Sequence, residues 1–196
     1  MRDHDLVRLY WPVELRPAFD ALFDLDDAMG DVVQRATQPA LAAVKLAWWR
    51  ERLEELDQGK APAEPRLRAA ARELLRRGIK GAELAELEAG WAALLQEKPD
   101  ADAALTRGVK LFALAARLLG SPGPVDAPGR LYAAGSLARR GLPVDAPEVE
   151  SVRIARALRP LTGLAALAKR DLRGSGPEGT PARAWTLIRH RLTGRL

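Results

Sequence analysis

Two long segments in the first third of the chain repeat their apolar residues at the period of an α-helix, and only a few residues separate them. The first spans Arg16–Gln34 and the second Pro39–Leu56. Each has a proline in its first turn, where the missing N–H breaks no helical hydrogen bond. The spacing predicts two consecutive helices that pack as a hairpin against a shared core.

The remaining apolar periodicity is also helical, and no segment alternates with the period of two that indicates a strand. Predicted helices cover residues 65–75, 82–97, 101–119, 131–140, 148–172 (kinked at Pro160) and 181–192. Residues 1–15 are interpreted as an irregular arm with Trp11 folded back. Glycine and proline mark loops at 59–65, 120–129, 141–147 and 174–180. The 196 residues are therefore predicted to form one all-α domain, a bundle of seven or eight helices.

Composition and charge exclude several function classes. The chain has no cysteine, which excludes disulfides and thiolate nucleophiles, and its two histidines do not favour a zinc site. The net charge is +5, but no aromatic platform interleaves the basic residues near the end, so solvated helix faces are favoured over nucleic-acid binding. No apolar run resembles a signal peptide or a membrane span. We therefore expect a cytoplasmic protein with no nucleic-acid partner.

Five aspartates of the first helix are candidates for chemistry. Asp20, Asp24, Asp27 and Asp31 are spaced 4, 3 and 4 residues apart and share one face. A solvated acidic stripe is favoured there over a metal site built on Asp27 and Asp31. Asp26 falls on the apolar side. It either points into a cavity, or snorkels toward solvent or forms a salt bridge, and snorkelling or a salt bridge is favoured over the cavity.

The second helix carries a tryptophan pair, Trp48 and Trp49. Its core face is predicted to contain Leu41, Val44, Trp48, Leu53 and Leu56, and Trp49 widens that face. Core packing is favoured over substrate stacking for both indoles, because large aromatic rings are most often buried for their apolar area.

Several sequence words of the chain resemble the squalene/phytoene synthase family. They are RPAFDALFDLDDAMGDVV and QPALAAVKLAWWRERLEEL in the hairpin, FALAARLLG at 112–120, LYAAGSLARRGLPVD at 131–145 and RHRLTGR at 189–195. The resemblance implies a shortened isoprenoid-synthase-like bundle around an apolar cavity. In that family, two Asp-x-x-x-Asp motifs on facing helices bind Mg²⁺, which holds the diphosphate leaving group while two prenyl diphosphates are joined.

The family's acidic motifs are eroded in this sequence. Aligned on the tryptophan pair, the first motif falls on GDVVQ, with Gly30 and Gln34 in place of its aspartates. The second falls near ARRGLP, which has no acidic pair, and Asp145 follows it. The resemblance is therefore to the non-catalytic branch of the family, which includes an assembly factor for respiratory complex I. It implies a pseudoenzyme with a prenyl or lipid ligand, a protein partner and peripheral contact with the inner membrane.

The candidate substrate and cavity residues are Asp26, Gly30, Gln34, Lys45, Trp48, Trp49, Arg50 and Phe112. The non-catalytic interpretation requires no cofactor. One alternative is an active prenyltransferase that binds Mg²⁺ through Asp27 and Asp31 and has a rebuilt second site. Another is a helical protein-interaction module with a packed core. Four carboxylates converging on one cavity mouth would favour the enzyme, and a rim with at most one acid would favour the binding protein.

Overall fold

The computed structural model describes residues 3–60, 63–142, 145, 147, 152–174 and 176–196. These residues form an all-α bundle, which confirms the predicted fold class. Its helices are α1 Asp3–Arg8, α2 Arg16–Gln34, α3 Pro39–Leu56, α4 Pro65–Glu73, α5 Gly81–Ala85, α6 Leu87–Ala92, α7 Ala101–Leu118, α8 Asp126–Arg139, α9 Arg159–Asp171 and α10 Pro181–Thr193. The one extended pairing in the described residues is a bridge between Arg153 and Arg195.

The hairpin α2–α3 has the bounds that the sequence predicts. Its second helix begins after Gln38, whose side chain makes no capping hydrogen bond. At the other end of α3, the carboxylate of Asp57 accepts hydrogen bonds from the backbone N–H groups of Gly81 (2.7 Å) and Ala82 (2.9 Å). The end of α3 therefore caps the start of α5 and fixes the position of the following helices.

Helices α7 and α8 pack at short range because glycines face each other at their crossing. A Cβ on Gly108 would lie 2.2 Å from the carbonyl oxygen of Gly129, and a Cβ on Gly129 would lie 2.6 Å from that of Gly108. This close contact sets the path of α8, whose last turn carries Arg139 toward α1 and α9 and whose C-cap carries Arg140 toward α2.

Several predicted boundaries are wrong. The arm includes the helix α1 and a 3-10 turn at Val13–Leu15, although Trp11 does fold back and is buried. The predicted helix 82–97 is divided into α5, α6 and a 3-10 turn. Helix α8 begins at Asp126, inside the predicted loop 120–129. Residues 152–155 are not helical, and Pro160 lies in the first turn of α9 instead of kinking a longer helix. Residues 148–151 lie outside the described residues.

The predicted core face of α3 is also partly wrong. Leu41, Val44 and Trp48 are exposed, with Trp48 at 41%, whereas Trp49 is 8% exposed. The buried positions of α3 are Ala42, Leu46, Trp49, Leu53 and Leu56. Trp49 is therefore the core anchor of the pair, and Trp48 lies on the outer surface.

Candidate functional site

A cleft of about 280 Å³ between α1, α2, α8 and α9 brings two groups of acids toward two consecutive arginines, and we call it the arginine cleft. Its charged lining residues are Asp3, Asp27, Arg139, Arg140, Asp171 and Glu178. Leu164, Leu167 and Ala168 supply an apolar wall. Four carboxylates therefore line one cleft, as the enzyme alternative requires, but the arginines lie among them.

Arg140 is bonded to both aspartates of the predicted metal pair. Its Nη2 donates to Asp27 Oδ1 at 2.7 Å, and its Nη1 donates to Asp31 Oδ1 at 2.8 Å. Nη1 also lies 3.2 Å from the Oε1 of Gln34. The aspartates are spaced i, i+4, so one planar guanidinium spans both. The side chains of Asp27 and Asp31 are 55% and 40% exposed, as expected for a solvated stripe, and both also face Arg140 at the C-cap of α8.

Arg139 binds the second acidic group. Its Nε donates to Asp171 at 2.6 Å, and its other nitrogens lie 3.3 Å from Asp3 and 3.5 Å from Glu178. Arg183, which is buried in α10, donates to the carboxylates of both Asp3 and Asp171. These bonds raise the pKa of Arg183 further above its ordinary value despite its burial. The second acidic group is therefore held by two guanidinium groups.

Gly30 lets Arg140 lie close against α2. A Cβ at this position would be 2.8 Å from Arg140 Cζ and 2.8 Å from the ring of Trp91. The glycine that replaces a motif aspartate in the family alignment is thus the position over which Trp91 and Arg140 pack.

Asp26 forms a buried ion pair with Arg107 of α7, as the favoured interpretation predicted. Its Oδ1 also accepts a hydrogen bond from Trp91 Nε1 at 2.9 Å. The Arg107 guanidinium lies over the Trp91 ring, with Cζ 3.9 Å from the ring centroid. Neither charged side chain of the pair is exposed. Asp26 is therefore fully engaged inside the bundle and does not point into an open cavity.

The electrostatics of the arginine cleft follow from burial and from neighbouring charges. Although part of the Asp27 side chain is exposed, crowding by the surrounding helices and the charge of Asp26 raise its pKa, while Arg140 opposes the rise. Burial, with the charges of Asp27 and Asp26, raises the pKa of Tyr132 well above its ordinary value. The phenol of Tyr132 therefore stays protonated at neutral pH.

A second cleft, of about 340 Å³, lies between the end of α2 and the start of α3, and we call it the hairpin cleft. Its apolar lining residues are Ala28, Val32, Leu41, Ala42 and Trp49, and its cationic side chains are Arg35, Lys45 and Arg66. Asp31 is the one acid in its lining, and that carboxylate is already bonded to Arg140 and lies 3.2 Å from Arg35. The hairpin cleft therefore combines an apolar lining with basic side chains.

The structure does not bring all the predicted site residues together. Lys45 and Trp49 line the hairpin cleft, and Gln34 lines the arginine cleft. Arg50 lies 3.9 Å from Glu88 of α6, whose pKa is raised by burial. Phe112 is buried in the core, with its ring centroid 5.2 Å from that of Tyr132.

Sequence reasoning missed the roles of Arg107, Arg139 and Arg140. A signal for Arg107 was present, because it lies in the most apolar stretch of α7 while Asp26 lies on the apolar side of α2. Charges of opposite sign on two apolar faces indicate a buried pair, since an unpaired buried charge is costly. The pairing of Arg140 with α2 had no local signal, because it depends on residues 109 positions apart.

The described residues contain no group of three or more histidine, cysteine or acidic side chains arranged to hold a metal ion. None of their helices combines the length and the apolar character needed to cross a membrane.

Comparison of the chain with protein-family models, with curated proteins and with solved structures gave no match. The resemblance to squalene/phytoene synthases therefore stays a prediction from the sequence words.

Proposed function

We propose that this protein is a non-catalytic, squalene/phytoene synthase-like binding protein that takes the anionic head of a prenyl or lipid amphiphile without Mg²⁺. The observation that carries the proposal is the bonding of Arg140 to both Asp27 and Asp31. A guanidinium there supplies the positive charge that a metal ion supplies in the family's enzymes. Because the guanidinium of Arg140 is part of the chain, Asp27 and Asp31 form a structural ion pair with it.

The hairpin cleft is the binding site in this proposal. A diphosphate carries several negative charges, and Arg35, Lys45 and Arg66 place three positive side chains around the cleft. The apolar lining suits the first isoprene units of a prenyl chain, and the volume of about 340 Å³ is within the range of small-molecule pockets. Among the described residues that line this cleft, Asp31 is the one acid, which supports ligand binding there rather than metal-dependent chemistry.

The test is a titration of the wild-type protein with farnesyl diphosphate in EDTA, followed by incubation with Mg²⁺ and assay of released diphosphate. We expect saturable binding in EDTA and no release. Lys45→Gln should weaken binding about ten-fold, the effect of losing one charge-assisted hydrogen bond. Lys98→Gln, which removes an exposed lysine outside the cleft, should leave binding unchanged.

Two outcomes would contradict the proposal. Mg²⁺-dependent release of diphosphate that disappears in Asp27→Asn would establish the active prenyltransferase. Absence of saturable binding to farnesyl and geranylgeranyl diphosphate would remove the prenyl-binding role.

A helical interaction module is the second candidate, and the exposed residues Leu41, Val44 and Trp48 of α3 favour it. They lie at i, i+3 and i+7, so they form a continuous apolar stripe on the outer face of the hairpin. Sedimentation velocity of the wild type and of the variant L41S/V44S/W48S tests this candidate. Self-association that the triple substitution abolishes would support it, and identical monomers would count against it.

A further inference from the structure

Helix α10 has an exposed apolar stripe on the face opposite its buried residues. Trp185, Ile188 and Leu192 are 66%, 40% and 74% exposed and are spaced i, i+3 and i+7. Arg183, Leu187 and His190, on the inner face, are buried. Within this 13-residue helix, the stripe therefore forms one continuous outer surface.

A basic groove runs beside this stripe, between α10 and the end of α9. Its volume is about 570 Å³, and its cationic side chains are Lys169, Arg170, Arg173, Arg189 and Arg195. No acidic side chain is among the described residues that line it. Arg191 flanks the stripe on the other side, with its guanidinium 5.0 Å from the centroid of the Tyr10 ring. The apolar stripe thus lies between positively charged side chains.

We propose that the α10 stripe and its basic groove form a surface that binds a membrane rich in anionic phospholipid. A helix with exposed Trp, Ile and Leu and basic flanks lies in the plane of the lipid interface, with its apolar side chains among the acyl chains and its cations near the phosphates. Thirteen residues rise only about 20 Å, which is less than the hydrocarbon core of a bilayer, so this helix lies along the surface. The inference goes beyond the proposed function and does not depend on the hairpin cleft.

Charge and side-chain chemistry favour lipid over the other occupants of such a face. Nucleic acid would use the basic groove, but Ile188 and Leu192 offer bases no stacking surface, and Trp185 is the one exposed aromatic of the stripe. A second copy of the chain, packed on the stripe about a two-fold axis, would bring the basic grooves of the two copies close together. The repulsion between them opposes such a dimer. An anionic bilayer complements both the apolar stripe of α10 and its basic groove.

The test is flotation of the wild-type protein with vesicles made of equal parts of phosphatidylcholine and phosphatidylglycerol. Vesicles of phosphatidylcholine alone are the neutral comparison, at about 0.1 M salt. We expect binding to the anionic vesicles, and W185S/I188S/L192S should abolish it. R170Q and R173Q should each lower the partition coefficient about five-fold, which is the effect of about 1 kcal/mol for one basic residue near an anionic surface.

The chain supplies a matched control in α3. V44S/W48S removes one tryptophan and one aliphatic side chain from a different exposed stripe, and neither residue lines the hairpin cleft. It should bind the anionic vesicles as the wild type does. All of the substituted residues are exposed, and circular dichroism confirms that each variant keeps its helices.

Four results would overturn the proposal. They are equal binding to neutral and anionic vesicles, equal loss of binding in W185S/I188S/L192S and V44S/W48S, displacement of the protein from vesicles by inorganic phosphate at equal ionic strength, and tighter binding to single-stranded RNA that survives W185S/I188S/L192S. The third would assign the groove to a soluble phosphate compound, and the fourth would assign it to nucleic acid.

Discussion

Arg139 and Arg140 decide what the acids of the arginine cleft can do. Mg²⁺ prefers oxygen ligands in near-octahedral geometry and usually keeps several waters, whereas a guanidinium binds carboxylates through planar, directed N–H donors. Asp27 and Asp31 have the spacing of a metal pair, but Arg140 is bonded to both. Two aspartates with the spacing of a metal pair therefore form a structural ion pair when an arginine lies close enough to bond to both.

The buried pair of Asp26 and Arg107 makes a strong prediction about stability. Arg107→Met leaves the Asp26 carboxylate buried with only the Trp91 indole as a hydrogen-bond donor, so we expect a loss of about 3–5 kcal/mol in the free energy of unfolding. Removing both charges in Asp26→Leu/Arg107→Met should recover most of that loss. Urea unfolding of the wild type, both single variants and the double variant measures the coupling. Additive losses would contradict a direct buried interaction.

Gly30→Ala tests the close packing of Arg140 and Trp91 over α2. In a helix interior with free space, this change would stabilise the protein by about 1 kcal/mol, because alanine has the higher helix propensity. Here the new Cβ would lie 2.8 Å from both neighbours, so we expect a lower free energy of unfolding instead. The measurement is the midpoint temperature of thermal unfolding of the variant and of the wild type, which we expect to be lower in the variant. A stabilised variant would show that α2 is not closely covered at this position.

At the scale of elements, α3 shows how a periodic pattern can indicate the wrong face. Leu41, Val44 and Trp48 fit the helical template, but the same face continues into Glu51, Arg52 and Glu55. The positions Ala42, Leu46, Trp49, Leu53 and Leu56 stay apolar through the whole helix and are the buried ones. The length of an apolar stripe was therefore better evidence for the core than the size of its side chains.

The two tryptophans of α3 should differ sharply in their contribution to stability. Trp49→Ala removes a buried ring and should cost about 3–5 kcal/mol. Trp48→Ala removes an exposed ring and should cost less than about 1 kcal/mol. Urea unfolding of the two variants under identical conditions is the measurement. Equal losses would show that Trp48 also packs in the core.

Helix α10 should make the stability of the protein depend on pH through His190. Burial and the charge of Arg159 lower the pKa of His190, whose Nδ1 donates to the Arg195 carbonyl oxygen at 3.0 Å. The unfolded chain therefore binds this proton at higher pH than the folded chain does. Neutral His190 therefore makes its full contribution to the free energy of unfolding above the pKa of histidine in the unfolded chain, which is about 6.5. This contribution decreases as the pH falls below that value.

The measurement is the free energy of unfolding against pH for the wild type and His190→Gln. We expect the wild type to lose more stability than the variant between neutral pH and about pH 5, below the ordinary pKa of histidine. His4 is present in both proteins, so the difference between the two curves isolates His190. Parallel curves would mean that His190 titrates alike in the folded and unfolded chains.

At the scale of the whole molecule, the ion pairs join the two ends of the chain. Asp3 of α1 accepts hydrogen bonds from Arg183 of α10 and from Arg139, and the same two arginines donate to Asp171. The segment predicted as an irregular arm is thus part of the arginine cleft. A helix of six residues is too short to show a periodic pattern, which is why the sequence did not reveal α1.

Fold class and most helix bounds could be predicted, because α2, α3 and α7 are long, periodic and bounded by capping or proline residues. Helix α8 was predicted to start too late, since Pro128 suggested a loop although proline is tolerated in the first turn of a helix. The candidate site could be predicted only in part. The acids of α2 were visible in the sequence, but their arginine partners depend on how α8 crosses α7 at Gly108 and Gly129.

Titration of the wild-type protein with Mn²⁺, followed by electron paramagnetic resonance of the free ion, tests the central claim most directly. Mn²⁺ accepts the same oxygen ligands as Mg²⁺. Because Arg140 engages both Asp27 and Asp31, the account predicts no saturable binding at millimolar Mn²⁺ and identical curves for the wild type and Asp27→Asn/Asp31→Asn. Saturable binding by the wild type that the double substitution abolishes would contradict it.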